Sequence, residues 1–169
     1  HDQLAGAPEN VWELGTRDAS AYAAFSEVVR YLEWLGAEVS PGGAPRQLIE
    51  AAAAAIRGQE QDLVDAMMWG TGGLSGLGQL DAVTVVGPDN SEHRSGMISF
   101  MIDGIDGPSA VDSLNADGVR THARKADYYS AGVLGPLGIE SCVRVSASHY
   151  NSRAEVEQFL ATVNRLAGA

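Results

Sequence analysis

The 169 residues (17.7 kDa) carry a formal net charge of −11, from 22 acidic against 11 basic side chains, and 45% of them are hydrophobic. That is globular composition, at the length of one domain or of one domain with part of another. The acidic excess excludes nucleic acid and anionic membrane surfaces, which need a basic patch, and no apolar run is long enough to cross a membrane.

Cys142 is the only cysteine, so no internal disulfide can form, and no signal-like segment opens the chain. The expected location is the cytoplasm. The first residue is His1 rather than Met, which reads as a processed chain or a piece of something longer. Lys125 is the only lysine, so chemistry requiring a Schiff-base lysine must use it or borrow one from another polypeptide.

Residues 1–19 lack periodicity and read as an extended lead-in. A helix over 20–35 follows, with Tyr22, Phe25, Val28, Val29, Leu32 and Leu35 on one face and Gly36 just past its end. The turn Pro41–Pro45 separates it from a helix over 46–68, whose five consecutive alanines favour helix and whose length suits a connector between domains. Gly70–Gly78 invites a phosphate-loop reading, but it lacks a Gly-Lys-Ser/Thr ending and follows no strand; it reads as a flexible linker, with anion binding as the alternative. Residues 82–86 and 97–102 form an antiparallel strand pair. Gly107-Pro108 starts a short helix that Gly118 closes, and Val119–Ala123 is a short strand. A loop rich in tyrosine and glycine runs from Arg124 to Glu140.

The last strand carries the chain's oddest residue. Val143 and Val145 alternate with Cys142, Arg144 and Ser146, as in a half-buried strand. An arginine in mid-strand must meet an internal carboxylate in a salt bridge or an anion from outside. Ser152 and Glu155 then form a capping box ahead of Val156, Phe159, Leu160, Val163 and Leu166. The order is α-α-β-β-α-β-β-α, an α/β chain with an α+β small domain in which helices pack on one face of a small mixed or antiparallel sheet.

Other candidates point away from chemistry. His1, His93, His122 and His149 have no i,i+4 pair and no metal-ligand spacing, so no metal is expected. His122 and His149 sit at strand ends, where either a structural role or an active-site face would accommodate them. Cys142, among valines, reads as an inert buried thiol.

The motifs together resemble a family. Glu13-Leu14-Gly15-Thr16 and the helix ending Tyr31-Leu32-Glu33-Trp34-Leu35-Gly36 are similar to the segment that follows the cofactor lysine in class V aminotransferases. That group includes cysteine desulfurases and selenocysteine lyases, pyridoxal-phosphate enzymes of fold-type I. Gly96-Met97-Ile98-Ser99-Phe100, Leu114-Asn115-Ala116-Asp117-Gly118-Val119, and Val143-Arg144-Val145-Ser146 with Tyr150-Asn151-Ser152 follow in the family's order.

The resemblance implies that Arg144 binds a substrate α-carboxylate, a role suited to a guanidinium fork. It implies that Thr16 reaches the cofactor phosphate, often in the neighbouring subunit of a dimer. It also implies that Arg124, Lys125, Tyr128 and Tyr129 lie on or beside the mobile active-site loop. Desulfurases carry a catalytic cysteine there; this chain has none, so a lyase, transaminase or epimerase-like reaction fits better. No residue of the chain is assigned a catalytic role.

The implied organisation is 1–45 as the end of a large cofactor domain, 46–69 as a connecting helix and 70–169 as a C-terminal small domain. The Schiff-base lysine would lie upstream, so the expected partners are the N-terminal large-domain polypeptide, a second subunit and a small amino-acid substrate. The chain alone is expected to be inactive. The alternative is a non-catalytic interaction or regulatory module of the same fold, and a further one an unrelated two-layer α+β domain that binds an anion at Gly70–Gly78.

Overall fold

The computed structural model describes residues 18–90, 92 and 94–168, and the chain divides into two compact units, residues 1–54 and 55–169. The first unit holds α1 (Ala19–Val39) and the opening turns of α2 (Pro45–Trp69). Asp18 caps α1 by accepting hydrogen bonds from the backbone N–H groups of Ser20 and Ala21, both at 3.1 Å.

Gly36 does not stand past the end of this helix. It lies inside α1 and is buried, and a Cβ there would sit 2.0 Å from the carbonyl oxygen of Leu48 on α2. The two backbones touch, a contact that only glycine permits. The rest of α1 buries little: Tyr22, Phe25, Val28, Tyr31, Trp34 and Val39 are all exposed. Among the described residues of its own unit, no strand is present to cover the apolar stripe expected to face a core.

The second unit contains the remainder of α2, a 3-10 turn (Leu77–Gln79), β1 (Val83–Val86), β2 (Met97–Ile102), α3 (Gly107–Ala116), β3 (His122–Lys125), α4 (Ala131–Leu134), β4 (Ser141–Ser146) and α5 (Arg153–Leu166). The strands form one fully antiparallel sheet in the order β1-β2-β4-β3. Ile98, Phe100, Ile102, Val143 and Val145 are buried in one cluster with Val64 and Met67 of α2, Leu114 of α3, and Val156, Phe159 and Leu160 of α5. Phe100 and Phe159 meet edge to face, 5.8 Å between ring centres. The helices therefore cover one face of the sheet, as the α+β pattern implies.

Two sequence readings change here. The strand expected at Val119–Ala123 begins only at His122, because Gly118 adopts φ +80° and Val119 N–H closes α3 on the carbonyl of Leu114 at 2.8 Å. The Gly70–Gly78 segment is no flexible linker. Thr71 and Leu74 form an isolated bridge, a Cβ on Gly70 would lie 2.3 Å from the carbonyl oxygen of Leu74, and Asn164 of α5 bonds both the N–H (3.2 Å) and the carbonyl (2.8 Å) of Ser75. The glycines serve tight backbone packing, and the backbone N–H groups of Gly70, Leu74, Ser75 and Gly76 are bonded inside the fold.

Candidate active site

Strand alternation sorts β4 onto two faces. Val143 and Val145 enter the core, so Cys142, Arg144 and Ser146 point to the opposite face of the sheet, where Cys142 is buried, Arg144 half-buried and Ser146 exposed. The register extends that face across the sheet. Arg144 stands opposite Ser99 on β2 and opposite His122 on β3, and Ser99 stands opposite Val86 on β1. In the adjacent row, Cys142 stands opposite Arg124, and Thr84 opposite Met101. No Asp or Glu occupies these positions, although acidic residues outnumber basic ones two to one in the chain.

Arg144 is half-buried, and no salt bridge to it forms among the described residues. Its Nε is buried without a hydrogen-bond partner. Of the two outcomes open to a mid-strand arginine, the internal ion pair is not formed within the described chain. A buried guanidinium N–H without a partner is a costly arrangement that a ligand oxyanion would satisfy.

Cys142 reports on the same neighbourhood. Burial pushes its thiol pKa up, while Arg124, a hydrogen bond with Ser99 and Arg144 act in the opposite direction. Both guanidinium groups are therefore close enough to influence one sulfur atom. The net upward shift keeps the thiol protonated and unreactive.

The segment after β4 is fixed rather than loose. Asn151 Oδ1 accepts from Ser148 N–H at 2.8 Å, Gln59 Nε2 on α2 donates to the Asn151 carbonyl at 3.1 Å, and Ser152 N–H donates to Glu155 Oε2 at 2.7 Å in a complete capping box. These contacts tie the exit of the arginine strand to α2 and α5.

The other named residues are distributed unevenly. Arg124 is on β3 and shares the face of Arg144. Lys125, the next residue, stands opposite Ser141 and by alternation points to the other face. Tyr128 and Tyr129 lie on the β3–β4 connection, are 94% and 87% exposed, and meet edge to face at 5.4 Å. Asp127 shapes that turn by accepting from the N–H groups of Tyr129 and Ser130. Thus Arg124 joins Arg144, and Lys125 and the tyrosine pair do not. His149 is half-buried and edge-on to Tyr150, 5.4 Å between ring centres. Thr16 and His93 lie outside the described residues. Ser99 was not recognisable as a site residue from sequence: its position is set by the β2–β4 register, which pattern alone does not reveal. Among the described residues no group of three or more His, Cys, Asp or Glu could hold a metal ion, and no helix is long and apolar enough to cross a membrane.

The antiparallel sheet thus packs helices on one face and carries on the other a half-buried arginine with no ion-pair partner among the described residues. The aminotransferase class-V family profile matches residues 3–159, and the chain belongs to that family. It is 26% identical over 161 residues to a probable cysteine desulfurase of Mycobacterium leprae, covering 95% of this chain and 32% of the relative. It is 28% identical over 153 residues to a probable cysteine desulfurase of Halobacterium salinarum, covering 90% of this chain and 31% of the relative. The apo structure of a cysteine desulfurase from Thermococcus onnurineus superimposes with a TM-score of 0.61 at 26% identity, over 73% of this chain and 29% of that one. The chain spans about a third of the length of these relatives.

Proposed function

We propose that this chain supplies the substrate-carboxylate site of a pyridoxal-phosphate-dependent enzyme that acts on an amino acid. The observation that carries the reading is Arg144, half-buried on the sheet face opposite the core, with a buried Nε that has no hydrogen-bond partner and no carboxylate at salt-bridge distance among the described residues. Family membership supplies the chemical context: when bound, pyridoxal phosphate withdraws electrons from a substrate α-carbon.

The described residues fit the substrate end of such a site. Arg144 holds and orients the α-carboxylate through paired N–H donors, and the Asn151–Ser152–Glu155 contacts fix the exit of its strand. They do not fit covalent attachment of the cofactor, because Lys125 points to the face opposite Arg144. We assign the Schiff-base lysine to a large domain outside this chain and the phosphate contact to Thr16 across a dimer interface. In this reading residues 1–45 end that large domain, 46–69 connect and 70–169 form the small domain, all in the cytoplasm. The β3–β4 connection has no cysteine, and Cys142 is buried in β4. A lyase or transaminase reaction therefore fits better than relay of sulfur through a loop persulfide.

Arg144→Ala in the cofactor-loaded enzyme should raise KM for the amino acid at least about tenfold, the value of a charge-assisted hydrogen bond being roughly 1.5–3 kcal/mol. A second measurement needs no turnover. In the full chain, the Nε–H NMR signal of Arg144 should shift on adding L-alanine and stay put on adding L-alaninamide, which lacks the carboxylate. An unchanged KM, or equal response to acid and amide, would overturn the assignment.

A further inference from the structure

The face around Arg144 holds more positive charge than one α-carboxylate needs. Arg124 stands opposite Cys142, two residues from Arg144 along β4, so the two arginines are diagonal neighbours on adjacent strands, a separation of about 7–8 Å that long side chains can span. Side chains of that length converge easily across such a gap. Two partly buried like charges this near repel each other, and an anion between them would relieve the repulsion.

Comparison with the chain's other arginines makes the pair distinctive. Among the described residues, Arg30 pairs with Glu27, Arg46 with Glu50 and Arg165 with Asp117, and Arg94 donates to the carbonyls of Pro88 and Val86. Arg57, Arg120 and Arg153 have no such partner but are exposed, where water suffices. Among the described arginines, only Arg124 and Arg144 are half-buried and without a hydrogen-bond or ion-pair partner. They share a face, and both act on the same Cys142 thiol. In a chain of net charge −11, that face carries His122 beside them and no carboxylate.

We infer that the substrate has two acid groups: an amino acid with an acidic side chain, its α-carboxylate on Arg144 and its side-chain carboxylate on Arg124. This rests on the carboxylate-clamp reading above and adds the substrate class to it. Arg124 is then a specificity residue; neutral amino acids would engage Arg144 alone and leave Arg124 unsatisfied. Discrimination of this kind is strong because the wrong ligand strands a partly buried charge.

The test compares L-aspartate, L-glutamate and L-alanine by calorimetric titration of the full chain, and by kcat/KM in the cofactor-loaded enzyme. At least one acidic amino acid should bind about tenfold or more tightly than L-alanine. Arg124→Gln should weaken only the acidic ligand, and Arg124→Lys should restore part of the preference; the two variants together separate loss of charge from loss of fold. Equal affinity for all three ligands, with Arg144→Gln weakening each of them, would overturn the inference and leave the clamp standing. Arg144→Gln without effect on any of them would overturn the clamp as well. Inorganic phosphate is the control anion: displacement of L-aspartate through an Arg124-dependent site that leaves L-alanine bound would assign the second anion to phosphate and overturn the substrate class.

Discussion

Arg144 of β4 stands directly across the strand pair from His122 of β3, and among the described residues neither has a carboxylate partner. A structural arginine in a sheet normally brings its counter-ion with it, because leaving a partly buried charge unpaired costs more than the pair returns. Here the counter-ion is missing from the two strands beside it: Ser99 faces it on one side and His122 on the other.

That arrangement predicts an unusual separation of stability from function. Arg144→Met keeps the side chain's length and removes an Nε that has no partner. Its melting temperature should equal or exceed that of the unaltered chain, since no folded-state bond is lost. Its affinity for a carboxylate ligand should fall at least about tenfold. Breaking a structural buried ion pair would instead cost about 3–5 kcal/mol of stability. Thermal unfolding beside a ligand titration distinguishes the two.

The capping box at α5 makes a pH-dependent contribution. The N–H of Ser152 first, then its hydroxyl and the side chain of Asn151, hold the Glu155 carboxyl below its ordinary value by bonding its charged form. A carboxylate whose folded-state pKa is depressed stabilises the fold above its unfolded-state pKa. That contribution is lost as pH falls through the folded-state value. Stability should therefore decline below the ordinary glutamate pKa of about 4.3. Glu155→Gln retains a capping-box geometry and should flatten this part of the profile. Ser152→Ala should cost about 1 kcal/mol at neutral pH. Urea unfolding from pH 3 to pH 7 checks both.

How much of this was legible in the sequence follows from how local each signal is. The capping box was readable because its two partners are three residues apart. Arg144 stood out because one charge interrupts a period-2 strand. Gly36 was misplaced because a glycine after an apolar helical run also ends helices, and its real reason for being glycine is Leu48, on another helix. The glycines at 70–78 resemble a linker for the same reason: their partners, Met68, Leu74 and Asn164, come from packing rather than from local pattern. Arg124 sits where the sequence reads as the start of a loop, and only the β3–β4 register places it on the face of Arg144. Identifying the α-carboxylate role required the family pattern. Spacing alone favours an internal salt bridge over an external anion.

Gly36→Ala tests the backbone contact between α1 and α2. In an exposed helix interior this change stabilises, by about 1 kcal/mol. At Gly36 the new Cβ would fall 2.0 Å from the Leu48 carbonyl oxygen, with backbone rather than a flexible side chain in the way. The sign should reverse, with a loss of roughly 1–3 kcal/mol as the helices are forced apart. Gly58→Ala on α2, where a Cβ meets nothing within 4 Å, is the matched control and should stabilise. If both substitutions stabilise, the close approach is wrong.

Cys142 separates a buried thiol from a catalytic one. The side chain is 1% exposed, and burial raises its pKa despite the opposing pull of Arg124, Ser99 and Arg144. In the native chain near pH 7, a disulfide reagent should leave it unmodified over a period in which the urea-unfolded chain reacts completely, because reaction needs an accessible thiolate. The same shift has a stability consequence of definite sign. A thiol pKa higher in the folded than in the unfolded state stabilises fully below the unfolded value. That contribution fades as pH rises above about 8.5 toward the folded-state value. Cys142→Ala removes the titrating group, so the difference in stability between variant and parent should narrow with rising pH across that window. A thiol that reacts rapidly in the folded chain, or a difference that stays constant with pH, would place Cys142 in contact with solvent and make it a candidate nucleophile beside Arg144.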